Sequence, residues 1–440
     1  MSRRLSCSRR KALELLFGSV VAGLATACGA SVAPATLPAA TEPPTATTAG
    51  ETDMPEATAK TVAEATITAV STPTRTPEPT AAATSKPTTL AEPTATTPAS
   101  APGSMEIKYS KLFTVEYLAE GAKVARDGDG DELLLLAAGH KAPAGYESLM
   151  TVTVPVQRVV VLSTTDLALL RPLDVFDSLV GISAPRERIQ IEEVATSMSQ
   201  GRTQSVGSSA SKPDYELIAT LKPDLVVGYT GAKDGITVKA KLAELKLPFA
   251  AVNAWLEQDP LGRAEWIKFL SAFYNKETQA EAFFQGMETR VKNVEARAAT
   301  AARRPKVLWA VVNSKGEHYV PNGGKYEAAM IRMAGGDYLF ADLAGTGNSV
   351  ITPEEVVARG KNAEIFIYAM NPPNIKSLDE VRQLSPALAE LDVVRQDKVW
   401  CFQPWYWQAV DKTDEIIEDL AALFHPELYP GHKVRHFLKL

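Results

Sequence analysis

The chain has 440 residues, 22% of them charged and 45% hydrophobic, with a formal net charge of −6 at neutral pH. That balance excludes a general affinity for nucleic acid, whose phosphates require an excess of Lys and Arg. The three cysteines, Cys7, Cys28 and Cys401, are too few for a disulfide framework.

Residues 1–11 carry Arg3, Arg4, Arg9, Arg10 and Lys11 and no acid, and "ALELLFGSVVAGLATA" follows, broken only by Glu14. A basic start and a short apolar run before small residues make a secretory signal. The run falls short of the ~20 residues of a membrane span. "SRRKAL" resembles a twin-arginine export motif, although Ala12 stands where a bulky residue is usual, so export by Sec or Tat stays open. Ala25-Thr26-Ala27 before Cys28 resembles a bacterial lipobox, which implies that residues 1–27 are removed and Cys28 becomes an acylated first residue. Acyl chains stabilise membrane attachment by ~0.8 kcal/mol per buried CH2. Residues 28–103 are rich in Ala, Thr, Pro, Ser and Glu, as in "STPTRTPEPTAAATSKPTT", and hold no aromatic residue between 31 and 103. Such a stretch cannot bury enough apolar surface to offset its chain entropy. It reads as a stalk reaching up to ~200 Å. With Cys7 removed and Cys28 acylated, Cys401 is left without an intramolecular partner.

Residues 104–155 contain "TVEYLAEGAKVARDGDGDELLLLAAG", which alternates around "DGDGD" and predicts a hairpin. A calcium loop starting at Asp127 would need glycine sixth and glutamate twelfth. Glu132 and Ala138 stand there, so a solvated turn is expected. Residues 156–260 then alternate buried strands with helices: "RVVVLS", "TDLALLRPL", "SLVGIS", "PDYELIATL", "PDLVVGYT", "VKAKLAELK" and "LPFAAVNA". Strand–helix alternation implies a mainly parallel sheet. Residues 261–303 form a helical linker, in which Phe283, Met287, Val291, Val294 and Ala298 share one helix face. A helix over 277–301, with Asn275 as its cap, would be about 37 Å long. Residues 304–440 resume the alternation in "RPKVLWAVVN", "KYEAAMIRMAGG", "AEIFIYAM", "KVWCFQP" and "TDEIIEDLAALF".

The signatures "RVVVLSTTDLALLRPL" with "SLVGIS", "VGSSASKPDYELIATLKPDLVVGY", "VPNGGKYEAAMIRMAGGDYLF", "ITPEEVVARGKNAEIFIY" and "LFHPELYPGH" run in order over about residues 107–440. Together they resemble the substrate-binding lipoproteins of ABC importers for iron–siderophores, cobalamin and haem. The resemblance implies two Rossmann-like α/β lobes, each with a central mainly parallel sheet, joined by one long rigid helix around a ligand cleft. It implies a monomer that captures an iron–siderophore, corrinoid or haem outside the membrane and passes it to an ABC permease and its ATPase. It also implies permease docking through one acid in each lobe, Glu216 and Glu354, with Glu355 adjacent to the second.

The residues themselves bear on the ligand. Five histidines, of which only His318 falls near an expected cleft loop, argue against a bare-metal site built from His and carboxylates, and no cofactor of the protein's own is expected. Open α/β sheets bind ligands outside the carboxyl ends of their strands. Those ends carry Ser163, Thr164, Thr165, Tyr229, Tyr368, Asn371, Trp405, Tyr406 and Trp407, the candidate ligand-binding residues. Tyr229 matches the aromatic that cobalamin binders place after "PDLV". One strand face cannot bury three consecutive rings, so at least one of Trp405, Tyr406 and Trp407 is expected in the cleft, against a large conjugated or chelated ligand. A cell-surface binding protein with no transport role would leave the two cleft-forming lobes unexplained, and a tethered secreted hydrolase is the other rival reading. No G-x-S-x-G elbow, H-E-x-x-H helix or phosphate-binding glycine loop supports it.

Overall fold

The computed structural model describes residues 103–230 and 233–440. The signal, Cys28 and all but the last residue of the stalk lie outside the described residues. Among those described, no helix is long and apolar enough to cross a membrane.

The leading segment forms a five-stranded sheet rather than a lone hairpin, with strands Gly103–Ser104, Thr114–Tyr117, Lys123–Arg126, Glu132–Ala137 and Met150–Val154 in sequential order. The hairpin around "DGDGD" is its antiparallel centre, and Met150–Val154 adds in parallel. Successive side chains in a strand point to opposite faces. Leu133 and Leu135 therefore join the main core beside Val115, Ala125 and Val152. Leu134 and Leu136 meet Ala122 and Val124 in a satellite cluster covered by Tyr146 and Leu149.

The second sheet is parallel throughout, in the order Phe249–Ala251, Leu225–Gly228, Val159–Val161, Leu179–Ile182, Gln204–Ser205. Its inner strands are apolar along their length because helices and core cover both faces; Val159, Val160 and Val161 are all fully buried. The third sheet centres on Lys306–Val312, which pairs in parallel with Ile365–Tyr368 and Asp337–Tyr338. Val399–Phe402 continues it in parallel, and His318–Pro321, Asn348–Ile351 and Phe437–Lys439 add antiparallel strands. Cys401 is a buried free thiol, pushed up to about 11 by burial.

Between the second and third sheets run the helices Pro260–Ala272 and Glu277–Ala298. The latter has 22 residues, about 33 Å at the α-helical rise. It buries Ala280, Phe284, Met287, Val291, Val294 and Ala298, a stripe spaced by four and three. The stripe enters the core at Phe284, and Phe283 is only half-buried. Asn275 does not cap the helix: it sits at φ 54°, and its Oδ1 accepts from Lys123 Nζ at 2.7 Å. Lys276 occupies the cap position.

Candidate functional site

A cavity of about 550 Å³ opens where the carboxyl ends of the second and third sheets face each other. This volume lies in the range of small-molecule sites. From the second sheet come the loop 163–166, Ser183, Ala184 and Arg188, Tyr229, Val252 and residues 254–256. From the third come Trp309 and Val311 on its central strand, Tyr319, Pro321 and Asn322, residues 325–327, the loop 344–348, Ala369, Met370 and Trp407. The position follows from the topology, since the strands point their carboxyl ends at one another and their loops form the walls.

The wall from the third sheet depends on close backbone approach. Asn322, Gly323 and Gly324 donate their N–H groups to the carbonyls of Gly347, Leu343 and Gly345 at 2.9, 2.8 and 3.1 Å. A Cβ on Gly323 would lie 1.9 Å from the Ala341 carbonyl oxygen, so only glycine fits. This explains the glycines of "VPNGGKYEAAM", whose role in the cavity the sequence reading missed.

The wall from the second sheet is held by the leading sheet, and here the expectation of a solvated turn is corrected. Asp127 is buried; its Oδ1 accepts from the N–H groups of Asp129 and Asp131 and its Oδ2 from Ala251 N–H at 2.9 Å. Gly128 N–H donates to Ala251 O at 2.9 Å. Asp129 accepts from the Thr230 hydroxyl, from Asn253 Nδ2 at 3.0 Å and from Lys239 Nζ at 2.6 Å. Burial opposes ionisation of Asp129, but Lys239, Thr230 and Asn253 together hold it below its ordinary value. The turn thus fastens the loops that carry Tyr229 and Trp255, whose rings meet edge to face at 6.4 Å.

Of the residues expected from the sequence, Ser163, Thr164, Thr165, Tyr229 and Trp407 line the cavity, and four others do not. Tyr368 is 1% exposed, because its strand is buried on both faces, and its hydroxyl donates to Val312 O. Asn371 uses Nδ2 to hold Pro404 O at 3.2 Å. Tyr406 is buried, stacked on Phe402 with centroids 3.8 Å apart and planes 6° from parallel, while Trp405 is 39% exposed. The short helical turn Tyr406–Gln408 is the reason: it sends the three rings in different directions. His318 is core as well, with Nε2 2.7 Å from Ser385 Oγ, and burial lowers its basicity. Among the described residues no group of His, Cys, Asp and Glu is arranged to hold a metal.

The floor of the cavity holds polar residues absent from the sequence-based candidates. Asp166 opens the helix Asp166–Leu170, is buried, and leaves Oδ2 without a hydrogen-bond partner. Burial pushes its carboxyl up to about 8, although Arg263 pulls the other way. The Arg263 guanidinium carbon sits over the Tyr326 ring, 3.8 Å from its centroid, and its Nε has no hydrogen-bond partner among the described residues. Glu327, also buried, pairs through Oε1 with Lys325 at 3.0 Å and leaves Oε2 unbonded. A first-turn Asp and a single Arg in "PLGRAEWIKFL" are ordinary in sequence, and only the packing brings them to one place.

Comparison with known proteins agrees with this architecture. Residues 159–404 match the family model described as periplasmic binding protein. The uncharacterized lipoprotein MJ0878 of Methanocaldococcus jannaschii is 31% identical over 358 residues, covering 76% of this chain and 85% of the relative. A periplasmic binding protein of Veillonella parvula superposes with a TM-score of 0.52 at 14% identity, covering 72% of this chain and 98% of that one. A periplasmic heme binding protein of Pseudomonas aeruginosa superposes at 0.51 and 18% identity, covering 64% of this chain and 95% of that one.

Proposed function

This chain belongs to the periplasmic binding protein family, and on that premise we propose that it captures a metal chelate or tetrapyrrole, namely an iron–siderophore, corrinoid or haem, and delivers it to an ABC permease and its ATPase. Members of the family bind solutes rather than transform them, so the tethered hydrolase weighed above is set aside. One observation carries the reading of the solute: a cavity of about 550 Å³ walled by Tyr229, Trp255, Trp309, Tyr319, Tyr326 and Trp407. Flat rings suit a large conjugated or chelated solute. Haem, which the Pseudomonas aeruginosa protein is named for binding, is one such solute.

The protein works outside the cytoplasmic membrane, held by lipid on Cys28. The lipobox-like sequence supports this, as does a relative that is itself named a lipoprotein. Glu216 and Glu354 dock the permease. Both are exposed in the first turns of their helices, Tyr215–Leu221 and Pro353–Gly360. Backbone and Thr352 hydrogen bonds hold Glu354 below the usual carboxylate range, whereas Glu355 is tied to Arg359 at 3.1 Å.

Titration of the full chain with haemin, cyanocobalamin and a ferric catecholate siderophore tests capture. Saturable binding of one of them, with the solute recovered unaltered, is expected; no binding of any would overturn the reading. Trp407→Ala should weaken binding by up to roughly tenfold, the loss of one stacking contact. Glu216→Lys with Glu354→Lys should abolish uptake and leave solute affinity intact, and Cys28→Ala should release the protein from membranes. Uptake at the wild-type rate in the double variant would remove those two acids from docking.

A further inference from the structure

The helix Pro260–Ala272 is buried on nearly every side yet carries three charged residues facing the interior or the cavity. Two are satisfied within the protein. The Glu265 carboxylate accepts from the N–H groups of Lys108, Tyr109 and Ser110 at 2.7–2.9 Å, and Lys268 pairs with Glu281 at 2.7 Å and Glu265 at 3.2 Å. The third, Arg263, is in no ion pair among the described residues, and its guanidinium sits over the Tyr326 ring and borders the cavity. Asp166, from the neighbouring helix Asp166–Leu170, borders the same space with an unbonded carboxyl oxygen.

We propose that Arg263 and Asp166 form a carboxylate-binding subsite, in which the guanidinium meets the charge of a solute carboxylate and the Asp166 carboxyl donates its O–H to one carboxylate oxygen. The subsite rests on the solute-capture reading and narrows it to solutes that carry a free carboxylate. A planar guanidinium offers parallel N–H donors that match a carboxylate, and Arg188, which also borders the cavity and whose side chain bonds only to the Ser208 carbonyl among the described residues, adds positive charge that favours an anionic solute. Burial keeps Asp166 in its acid form at neutral pH, so it can donate.

The charges around Asp166 leave that role open. On the turn Val410–Lys412, Asp411 is neutralised by Arg171, with Nε–Oδ2 at 2.8 Å, and Lys412 approaches Glu415 at 3.5 Å. Tyr406, on the adjoining turn, is neutral throughout the working range because burial raises it far. On the opposite wall Glu327 is paired with Lys325. Arg263 is the cation that acts on Asp166.

The test titrates the full chain with haemin, which has two carboxylates, with its dimethyl ester, with ferric citrate and with cyanocobalamin, whose acid side chains are amides. Binding of haemin or ferric citrate is expected, with affinity level from pH 6 to 7.5 and falling about tenfold by pH 9 as Asp166 ionises. Asp166→Asn, which keeps the size and an N–H donor, should bind within threefold of wild type at pH 7 and lose that fall. Arg263→Gln should weaken binding at least tenfold at pH 7, with thermal unfolding confirming that both variants fold. Equal affinity for haemin and its ester, or an unaltered pH profile in Asp166→Asn, would overturn the subsite while leaving solute capture standing. Binding of cyanocobalamin alone would do the same. No binding of any of these probes would overturn the subsite, and capture would fall with it only if the ferric catecholate siderophore also failed to bind.

Discussion

On the side of the second sheet, the cavity loops at Thr230 and Asn253 are held from outside, by the charged turn of the leading sheet through Asp129 and Lys239. On the side of the third sheet, the loop at 403–407 is held from within, by Tyr406 stacked on Phe402 with Trp309 and Phe437 around them. The neighbouring loop at 322–324 is held by backbone approach at Gly323. A wall fixed by charged hydrogen bonds yields to the loss of one charge or to acid. A wall fixed by packing yields only to a change of volume, because interiors are close-packed.

The contrast sharpens into measurable differences. Phe402→Ala should cost about 3–5 kcal/mol in chemical denaturation, since Phe402 is fully buried and its loss leaves a cavity under the stacked ring. A cost below ~1 kcal/mol would mean that the ring stack does not hold that wall. Gly323→Ala should cost about 1–3 kcal/mol, as its methyl group meets a backbone carbonyl that cannot turn aside.

Asp129→Asn should cost about 1–2 kcal/mol through the charge-assisted bonds to Lys239 and Thr230. Its effect should appear as faster amide exchange at Thr230 and Ala251 rather than across the third sheet. The native value of Asp129 lies below its ordinary one, so the fastening is complete above about pH 4 and is lost as pH falls through the native value. The wild-type exchange difference between the two walls should therefore grow in acid, and a uniform response would break the comparison. Trp405→Ala, at an exposed ring outside the cavity, should change stability by less than about 0.5 kcal/mol and leave solute affinity unaltered.

Much of the fold was legible in the order of residues. Continuous apolar runs such as "RVVVLS" and "PDLVVGY" state that a strand is buried on both faces, and strand–helix alternation then leaves a parallel sheet as the outcome. The position of the cavity followed as well, because strand ends carry the loops, and Ser163, Thr164, Thr165 and Tyr229 stand directly after strands. The long helix was visible from its stripe of three and four, with an error of one residue at Phe284, where two adjacent rings make the phase ambiguous.

Local pattern could not decide where rings and charges point once the chain leaves a strand. Tyr368 is the last residue of its strand and is still core, and the turn at Tyr406 separates Trp405 from Trp407 by a rotation that no spacing rule encodes. The acids of "DGDGD" look solvated in sequence and become a fastening only because Ala251, Thr230 and Asn253, more than 100 residues on, come to meet them. Asp166 and Arg263 are likewise distant in sequence and share a cavity floor by virtue of two packed helices. The physical reason is common to all these cases. Secondary structure answers to hydrophobic period and backbone sterics within a few residues, whereas the partner of a polar group is set by whichever distant segment the core brings within hydrogen-bond reach.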